Sequence, residues 1–358
     1  RNSNAKASAS AAKAGSGDLE ALRAHGVAIK AALAEVEGQL AAASEAVLAA
    51  SLALPNWTAP GVPVGPESAA VHVRSVGPPP SPMQHVRDHE DICSDLGLLD
   101  LAAGAAVAGP RFACLTGDGV LLEQALVSFA LQRAASAGFH LHAPPDLAHV
   151  HAVEACGFHP RGEASQVYTV EGTDLCLIGT AEIPLMAMNA GKLFAAAQLP
   201  LRMAAVSHCF RREAGGGGAA SRGLYRLHQF SKVELAVVCA EDASEQVLEE
   251  LLDLQCSIVE ELGLHARVLD MPTEELGASA ARKYDIEAWM PGRFGMRYRH
   301  GHKDNRFAHT LNGTALAVPR VMLALLETHQ LPDGRVQVPP ALRPFLGGRE
   351  HLGAAEER

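Results

Sequence analysis

No apolar run in the chain approaches the ~20 residues needed to cross a bilayer. No C-x-x-C pair occurs among the seven cysteines at 93, 114, 156, 176, 209, 239 and 256. Scattered and odd in number, they point to reduced thiols rather than a disulfide frame or a zinc site. There is no basic excess either: 30 Lys and Arg against 40 Asp and Glu leave a formal charge of −10. A nucleic-acid binder usually carries a positive balance, so any RNA contact must come from local patches. Aromatics are scarce at 4%, while alanine and glycine are abundant and apolar residues reach 48%. The 358 residues suffice for one large domain with an appendage. The chain starts at Arg1 rather than methionine, which reads as a processed or partial polypeptide.

Against that background one stretch stands out: Ser207–Val238, SHCFRREAGGGGAASRGLYRLHQFSKVELAVV. It reads as strand, glycine loop, strand. Alternation puts Cys209, Arg211 and Glu213 on one face of the first limb. On the second limb Arg226, His228, Phe230, Lys232 and Glu234 share a face, and Tyr225, Leu227, Val233, Leu235 and Val237 form the opposite, apolar row. A paired ribbon would gather cations and carboxylates on one side, suited to a ligand bearing both phosphate and ammonium. The structural alternative is a solvated sheet face that does nothing more.

The remaining segments are read in order. Residues 1–17 are small and polar, a flexible lead-in. From Leu19 to Leu54 apolar residues recur at spacings of three and four, a heptad seam on one long helix stopped by Pro55. Such a stripe needs a partner. Residues 56–82, rich in proline and valine, form an extended connector; residues 84–108 are expected to be helical; and Gly119–Ala137 is an amphipathic helix. The strand FHLHAPPDL follows, with His140 and His142 on one face but no third ligand nearby to make a metal site. Residues 174–178 form a buried strand that leads into Thr180-Ala181-Glu182, either an ammonium site or a helix cap with an acidic first turn. Residues 241–263 form a helix with Ser244 as cap and Gly263 as stop. Near the end come Asn312-Gly313-Thr314 and a helix carrying Arg320 in its first turns, which suits an anion or serves as an exposed cation. The tail from Gly347 is expected to be loose.

The strings F-R-x-E-A-G and R-G-L-x-R-x-H-Q-F-x-K-V-E closely resemble motif 2 of class II aminoacyl-tRNA synthetases, in the seryl-tRNA synthetase version. The helix–strand–proline unit at 119–147 resembles motif 1, and the stretch around Arg320 resembles motif 3, with Pro319 where many relatives have glycine. The resemblance covers roughly residues 1–346. It implies an α+β fold: a class II antiparallel sheet flanked by helices, with a partial N-terminal helical coiled-coil arm. The expected divisions are an arm at 1–55, a connector at 56–82, a catalytic domain at 83–346 and a tail at 347–358.

The implied activity is ATP-dependent activation of L-serine and transfer to tRNA(Ser) by a homodimer that needs Mg²⁺. Arg211 and Arg320 are the implied catalytic residues, at the α- and γ-phosphates. Arg211, Arg212, Glu213, Leu227, Phe230 and Arg320 form the ATP set. Thr180, Ala181, Glu182, Glu234, Asn312 and Thr314 form the serine set. Val318, Pro319 and the strings DMPTEELG and DIEAWMPGR look closest to the animal mitochondrial branch, with a plastid as the alternative location. One departure matters. Relatives carry an E-x-S-S-x-S-N segment, binding Mg²⁺ and phosphates, after the W-x-P-G stretch. Here Pro291-Gly292-Arg293-Phe294-Gly295 runs directly into Met296-Arg297-Tyr298-Arg299, and the first arm helix is also missing. Either these pieces lie outside this sequence, or the gene has lost them. True loss would favour a non-catalytic, synthetase-like subunit of a larger assembly. A serine-activating enzyme without tRNA is a third reading, against which the heptad helix speaks.

Overall fold

A computed structural model of the chain describes residues 6–7, 9–10, 19–52, 54–79, 86–158, 165–213, 223–289, 297–300, 304–307 and 314–353. The glycine tip at 215–221, Asn312 and the 291–296 junction lie outside these residues. The chain divides into two compact units, Arg1–Asn56 and Trp57–Arg358.

In the first unit, helix α1 spans Leu19–Leu52, 34 residues and about 51 Å at 1.5 Å per residue. Its composition explains it: alanine-rich, with Glu20 in the first turn and no proline. The apolar seam is graded. Ile29 and Leu33 are half-buried, but Val36, Leu40 and Val47 are 57%, 66% and 65% exposed. No helix among the described residues of this unit covers that outer half.

The second unit begins with β1 (Val71–Val76), which draws part of the expected connector into a sheet. The segment expected as one helix is two, α2 (His89–Leu96) and α3 (Leu101–Ala108), separated by β2 (Leu99–Asp100). Local capping causes the break. Gly97 ends α2 in the left-handed region at φ 62°, and Asp100 caps α3 by accepting from the Ala103 amide at 2.7 Å. Then follow β3 (Cys114–Leu115), α4 (Asp118–Ser136), β4 (His140–His142), β5 (Leu147–His149), α5 (Val150–Ala155), β6 (Tyr168–Thr169), β7 (Leu175–Leu177) and α6 (Glu182–Ala187). Two long strands come next, β8 (Leu201–Phe210) and β9 (Gln229–Val238). The chain continues through α7 (Ser244–Glu261), β10 (Ala266–Asp270), β11 (Tyr284–Ala288), β12 (Arg297–His300), β13 (Asp304–Phe307), β14 (Leu316–Ala317), α8 (Val318–Thr328), β15 (Val336–Gln337) and β16 (His351–Leu352). Among the described residues, no helix is long and apolar enough to cross a membrane.

The central sheet has the order β14-β9-β8-β4. Strands β8 and β9 pair antiparallel over ten positions, from Leu201↔Val238 to Phe210↔Gln229. Strand β4 joins β8 in parallel. The fold is therefore α+β, with a largely antiparallel central sheet. One sheet face carries Ala204 and Val233 into the main core against Leu126 and Phe129 of α4 and Leu325 of α8. On the other face, among the described residues, Ala181 and Leu185 cover one end by packing on Met203, Ala205 and Ala236. The uncovered end is where the site lies. Two smaller sheets, β1-β10-β11 and β5-β7-β6, flank it.

The expected loose tail is corrected through residue 353. Strand β16 pairs with β15, and Leu352 is buried in the main core. Isolated polar-looking composition hid that single apolar anchor.

A buried polar brace ties α2, α8 and the segment entering β9. His89 and Glu327 are both fully buried, with His89 Nδ1 2.8 Å from Asp88 Oδ1 and 3.1 Å from Glu327 Oε1. The Leu224 amide donates to His89 Nε2 at 3.4 Å, so Nδ1 carries the ring proton. Gly223, at φ 56°, passes so close that a Cβ there would sit 2.1 Å from His89 Nε2. Only glycine fits. Replacing Glu327 by alanine removes the acceptor of the buried His89 amide and leaves the ring N–H to Asp88 alone, and is expected to cost about 2–4 kcal/mol in urea unfolding. Glu327→Gln keeps an acceptor and should lose about half of that.

Candidate active site

The β8–β9 pairing dictates what faces the uncovered side. Phe230 lies opposite Cys209, Lys232 opposite Ser207, and Glu234 opposite Ala205. On the other flank of Lys232 stands Ala317 of β14. Long side chains on β9 alternate with small partners, which leaves room for a concave surface. Beyond the strand ends the alternation fails. Residues 211–213 and 223–228 are irregular, so Tyr225 turns into the cleft instead of the core row the pattern predicts, while Leu227 both packs in the main core and lines the cleft.

A cleft of about 440 Å³ is lined by Arg211, Glu213, Leu227, Phe230, Thr314 and Arg320, together with Tyr225, Arg226 and Lys232. Five of the six predicted nucleotide residues meet there. Arg211 Cζ sits 5.5 Å from the Phe230 ring centroid, and its Nε donates to the Gly179 carbonyl at 3.3 Å. Arg320 Cζ lies 5.1 Å from the Tyr225 ring centroid. Among the described residues, neither guanidinium is paired with a carboxylate. Burial, followed by the like charge of Arg211, holds Arg320 below the ordinary arginine range, although Tyr225 and Glu213 act the other way. Two neighbouring guanidinium groups without counter-ions create a demand for an anion.

Glu213 adopts φ 48°, in the left-handed region. Arg226 donates to its carboxylate at 3.0 Å, and Arg111 to its carbonyl at 3.2 Å. The local strain is thus held in place from both ends. Arg212 is the exception in the predicted set. It is exposed, does not line the cleft, and uses its amide to bond the Gln166 carbonyl at 2.9 Å. His228 is also outside the cleft lining. Its ring stacks on Phe112 at 5.3 Å, and its Nδ1 lies 2.9 Å from both the Arg211 carbonyl and the Tyr168 hydroxyl.

The residues predicted to hold the amino acid lie on the loop before α6 and on β9. Thr180 and Ala181 are buried. The Thr180 hydroxyl donates to Glu234 Oε2 at 3.0 Å and accepts from Lys232 Nζ at 2.8 Å and from the Glu182 amide at 3.3 Å. Lys232 and Glu234 form a close ion pair, both almost fully buried. Glu182 keeps a water-accessible surface, yet it is crowded enough that burial is the largest influence on its carboxyl. Burial and Glu234 push it up, while Lys232 pulls it down. Among the described residues its carboxylate has no ion-pair partner. Sequence reading placed Lys232 on the charged face but gave it no role. Its hydrogen bond to a residue 52 positions away is invisible to spacing.

The fit to Mg²⁺ fails on the described residues. Such an ion takes one or two carboxylates plus phosphates, and the only carboxylate lining the cleft, Glu213, is paired with Arg226. Among the described residues one group of three possible ligands exists, Asp88, His89 and Glu327, and it is the buried brace of the fold. His140 and His142 lie with ring centroids 5.0 Å apart, outside that group.

Comparison with known proteins agrees with this geometry. Residues 167–293 match the model of the tRNA synthetase class II core domain (G, H, P, S and T). A serine–tRNA ligase of Rubrobacter xylanophilus is 44% identical over 339 residues, covering 89% of this chain and 80% of that protein. One from Treponema denticola is 42% identical, covering 90% and 82%. Among solved structures, the seryl-tRNA synthetase of Pyrococcus horikoshii, crystallised with ATP, superposes with a TM-score of 0.80 at 32% identity, covering 99% of this chain and 88% of that one. The cytoplasmic serine–tRNA ligase of Naegleria fowleri, in complex with AMP, gives 0.74 at 28% identity, covering 93% and 76%. With its motif 2 ribbon, its paired arginines and relatives above 40% identity along most of its length, the chain belongs to the seryl-tRNA synthetase family of class II enzymes.

Proposed function

We propose that the cleft activates L-serine with ATP and passes the seryl group to tRNA(Ser). The observation that carries this is the convergence of Arg211 and Arg320, neither neutralised by a described carboxylate, on a cleft that adjoins the Thr180–Glu182–Glu234 wall. The serine carboxylate attacks the α-phosphorus, the bond to the β-phosphate oxygen breaks, and pyrophosphate leaves. Attack by one anion on another needs neutralisation and alignment more than a protein nucleophile. Arg211 bridges carboxylate and α-phosphate. Arg320 holds the outer phosphates, and Phe230, with Leu227, supports the base beside Glu213. Glu182, whose carboxylate has no described partner, takes the substrate ammonium. Glu234, with Thr314 and the neighbouring Asn312, reads the hydroxyl side chain. A buried hydroxyl-reading site rejects alanine because its polar groups would be left unpaired. A ribose hydroxyl of the terminal adenosine then attacks the carbonyl carbon and AMP leaves.

The reading extends to partners and place. Helix α1, with its uncovered apolar outer half, serves as one strand of an RNA-gripping arm. The unit α4–β4 exposes Val120, Leu121 and Leu141, an apolar set suited to a homodimer interface. Mg²⁺ accompanies ATP, with ligands that the described residues do not supply. The resemblance of Val318-Pro319, DMPTEELG and DIEAWMPGR to the animal mitochondrial branch supports a role in mitochondrial translation, with the plastid as the alternative.

Arg211→Ala is expected to lower serine-dependent ATP–pyrophosphate exchange by roughly 10³-fold or more. Exchange at a near-normal rate in that variant overturns the assignment. Arg320→Ala should raise the KM for ATP roughly tenfold, with a smaller effect on the KM for serine. Sedimentation should show a species of twice the 37.5 kDa chain mass, and Leu141→Arg should shift it to the monomer.

A further inference from the structure

We propose that Lys232 is a positioning residue for serine recognition: its buried ammonium clamps Thr180 and Glu234 and thereby assembles the two-carboxylate wall, Glu182 and Glu234, that grips the substrate. The inference rests on the serine-activating reading and adds to it a residue which that reading leaves idle.

Geometry comes first. Lys232 is 3% exposed and Glu234 8%, on the open face of β9. The ammonium donates to Thr180 Oγ1 at 2.8 Å and pairs with Glu234 Oε2. With acceptor sites taken by Lys232 and the Glu182 amide, the Thr180 hydroxyl has one remaining use, donation to Glu234 Oε2 at 3.0 Å. One Glu234 oxygen is thus held by two donors, and the other, without a partner among the described residues, is left to meet a substrate hydroxyl. Glu182 follows Thr180 by two residues, and its amide is bonded to the same hydroxyl, so the clamp also sets where the α6 entrance places the second carboxylate.

Stability alone gives no reason for this arrangement. Burying an ammonium and a carboxylate costs several kcal/mol before their attraction returns it, and apolar replacements of buried pairs are often neutral or stabilising. The sheet around the pair is shaped to admit it, with Ser207 and Ala317 flanking Lys232 and Ala205 opposite Glu234. Small neighbours at all three places make a built socket rather than a solvated face.

Charge gives the second reason. Glu182 and Glu234 repel one another, and burial already disfavours the ionised Glu182. The groups that act on Glu182 are Lys232 and Glu234 from β9, while the Cys156 thiol near the end of α5, pushed up to about 11, stays neutral. Among the described residues, Lys232 is the cation that acts against the two raising influences. An ammonium-binding carboxylate must be ionised, so removing Lys232 should narrow the pH range over which serine binds from its acid side.

The test is serine-dependent ATP–pyrophosphate exchange across pH, in the full chain, for wild type, Lys232→Met, Lys232→Gln and Lys232→Arg. Lys232→Met should lose roughly tenfold or more in kcat/KM for serine. Its acid limb should move to higher pH, so that the loss deepens as pH falls. Lys232→Arg should bring the limb back toward the wild-type position, because it restores the charge. Lys232→Gln, which keeps a donor for Thr180, should retain the shifted limb. Direct binding of ATP alone, together with thermal unfolding, reports an intact fold and cleft for each variant. An acid limb in folded Lys232→Met or Lys232→Gln that coincides with wild type overturns the inference. A wild-type chain without serine-dependent exchange overturns instead the reading on which it rests.

Discussion

The register of one strand pair decides everything else in the site. Strands β8 and β9 are hydrogen-bonded over ten positions, with Glu234 opposite Ala205 and Lys232 opposite Ser207. A slip of one residue would exchange the two faces of β9. Lys232 and Glu234 would then enter the core that Val233 occupies beside Leu126 and Phe129, and Val233 would face the cleft. Such a slip buries two charges in apolar surroundings at a cost of several kcal/mol each. The hydrophobic row on one side and the ionic row on the other thus enforce the same register independently. Catalytic geometry follows from a folding constraint.

Charge is distributed within the site in a way that anticipates the ligand. The protein supplies internal partners where a charge must be held: Glu213 with Arg226, Glu234 with Lys232. It withholds described partners where a ligand must complete the balance: Arg211, Arg320 and Glu182. Among the described residues, two cations and one anion without charged partners match a molecule with phosphates at one end and an ammonium at the other. Local placement outweighs the net charge of −10, because interactions at a few ångströms in a partly desolvated cleft exceed the screened field of distant surface charges.

How much of this was legible before the structure depends on the distance over which a signal acts. Period-two alternation is local, so the face shared by Phe230, Lys232 and Glu234 could be read directly, as could α4 and α7. The same alternation failed for Tyr225 and His228, because the chain leaves strand geometry before it reaches them. Family resemblance pointed to Arg211 and Arg320, which line the cleft, and to Arg212, which does not. Capping details at Gly97 and Asp100 were present in the sequence and were overlooked in favour of one longer helix. Contacts made across long separations left no trace in spacing: Lys232 with Thr180, Leu352 with the main core, His89 with Glu327. Each joins residues whose chemistry is ordinary until the fold brings them together.

The last of these contacts explains how α8 can hold the Arg320 side chain steady in the cleft. Arg320 and Glu327 stand two turns apart on that helix, close to the same side. Arg320 reaches the cleft over the ring of Tyr225, while Glu327 reaches His89, whose other nitrogen accepts from the amide of Leu224. Leu224 and Tyr225 are consecutive, so one short segment is tied to both ends of the helix. Rotation of α8 about its axis would have to break the cation–π contact and the buried hydrogen bonds at once. A fully buried carboxylate without its donor is far costlier than a surface one, which makes the Glu327 end the anchor and the Arg320 end the part it positions. The flexible arginine side chain needs such an anchor, since binding polyphosphate with a freely moving guanidinium would spend much of the interaction on ordering it. The fold thus keeps its most buried polar cluster outside the chemistry and uses it to hold the chemistry in place.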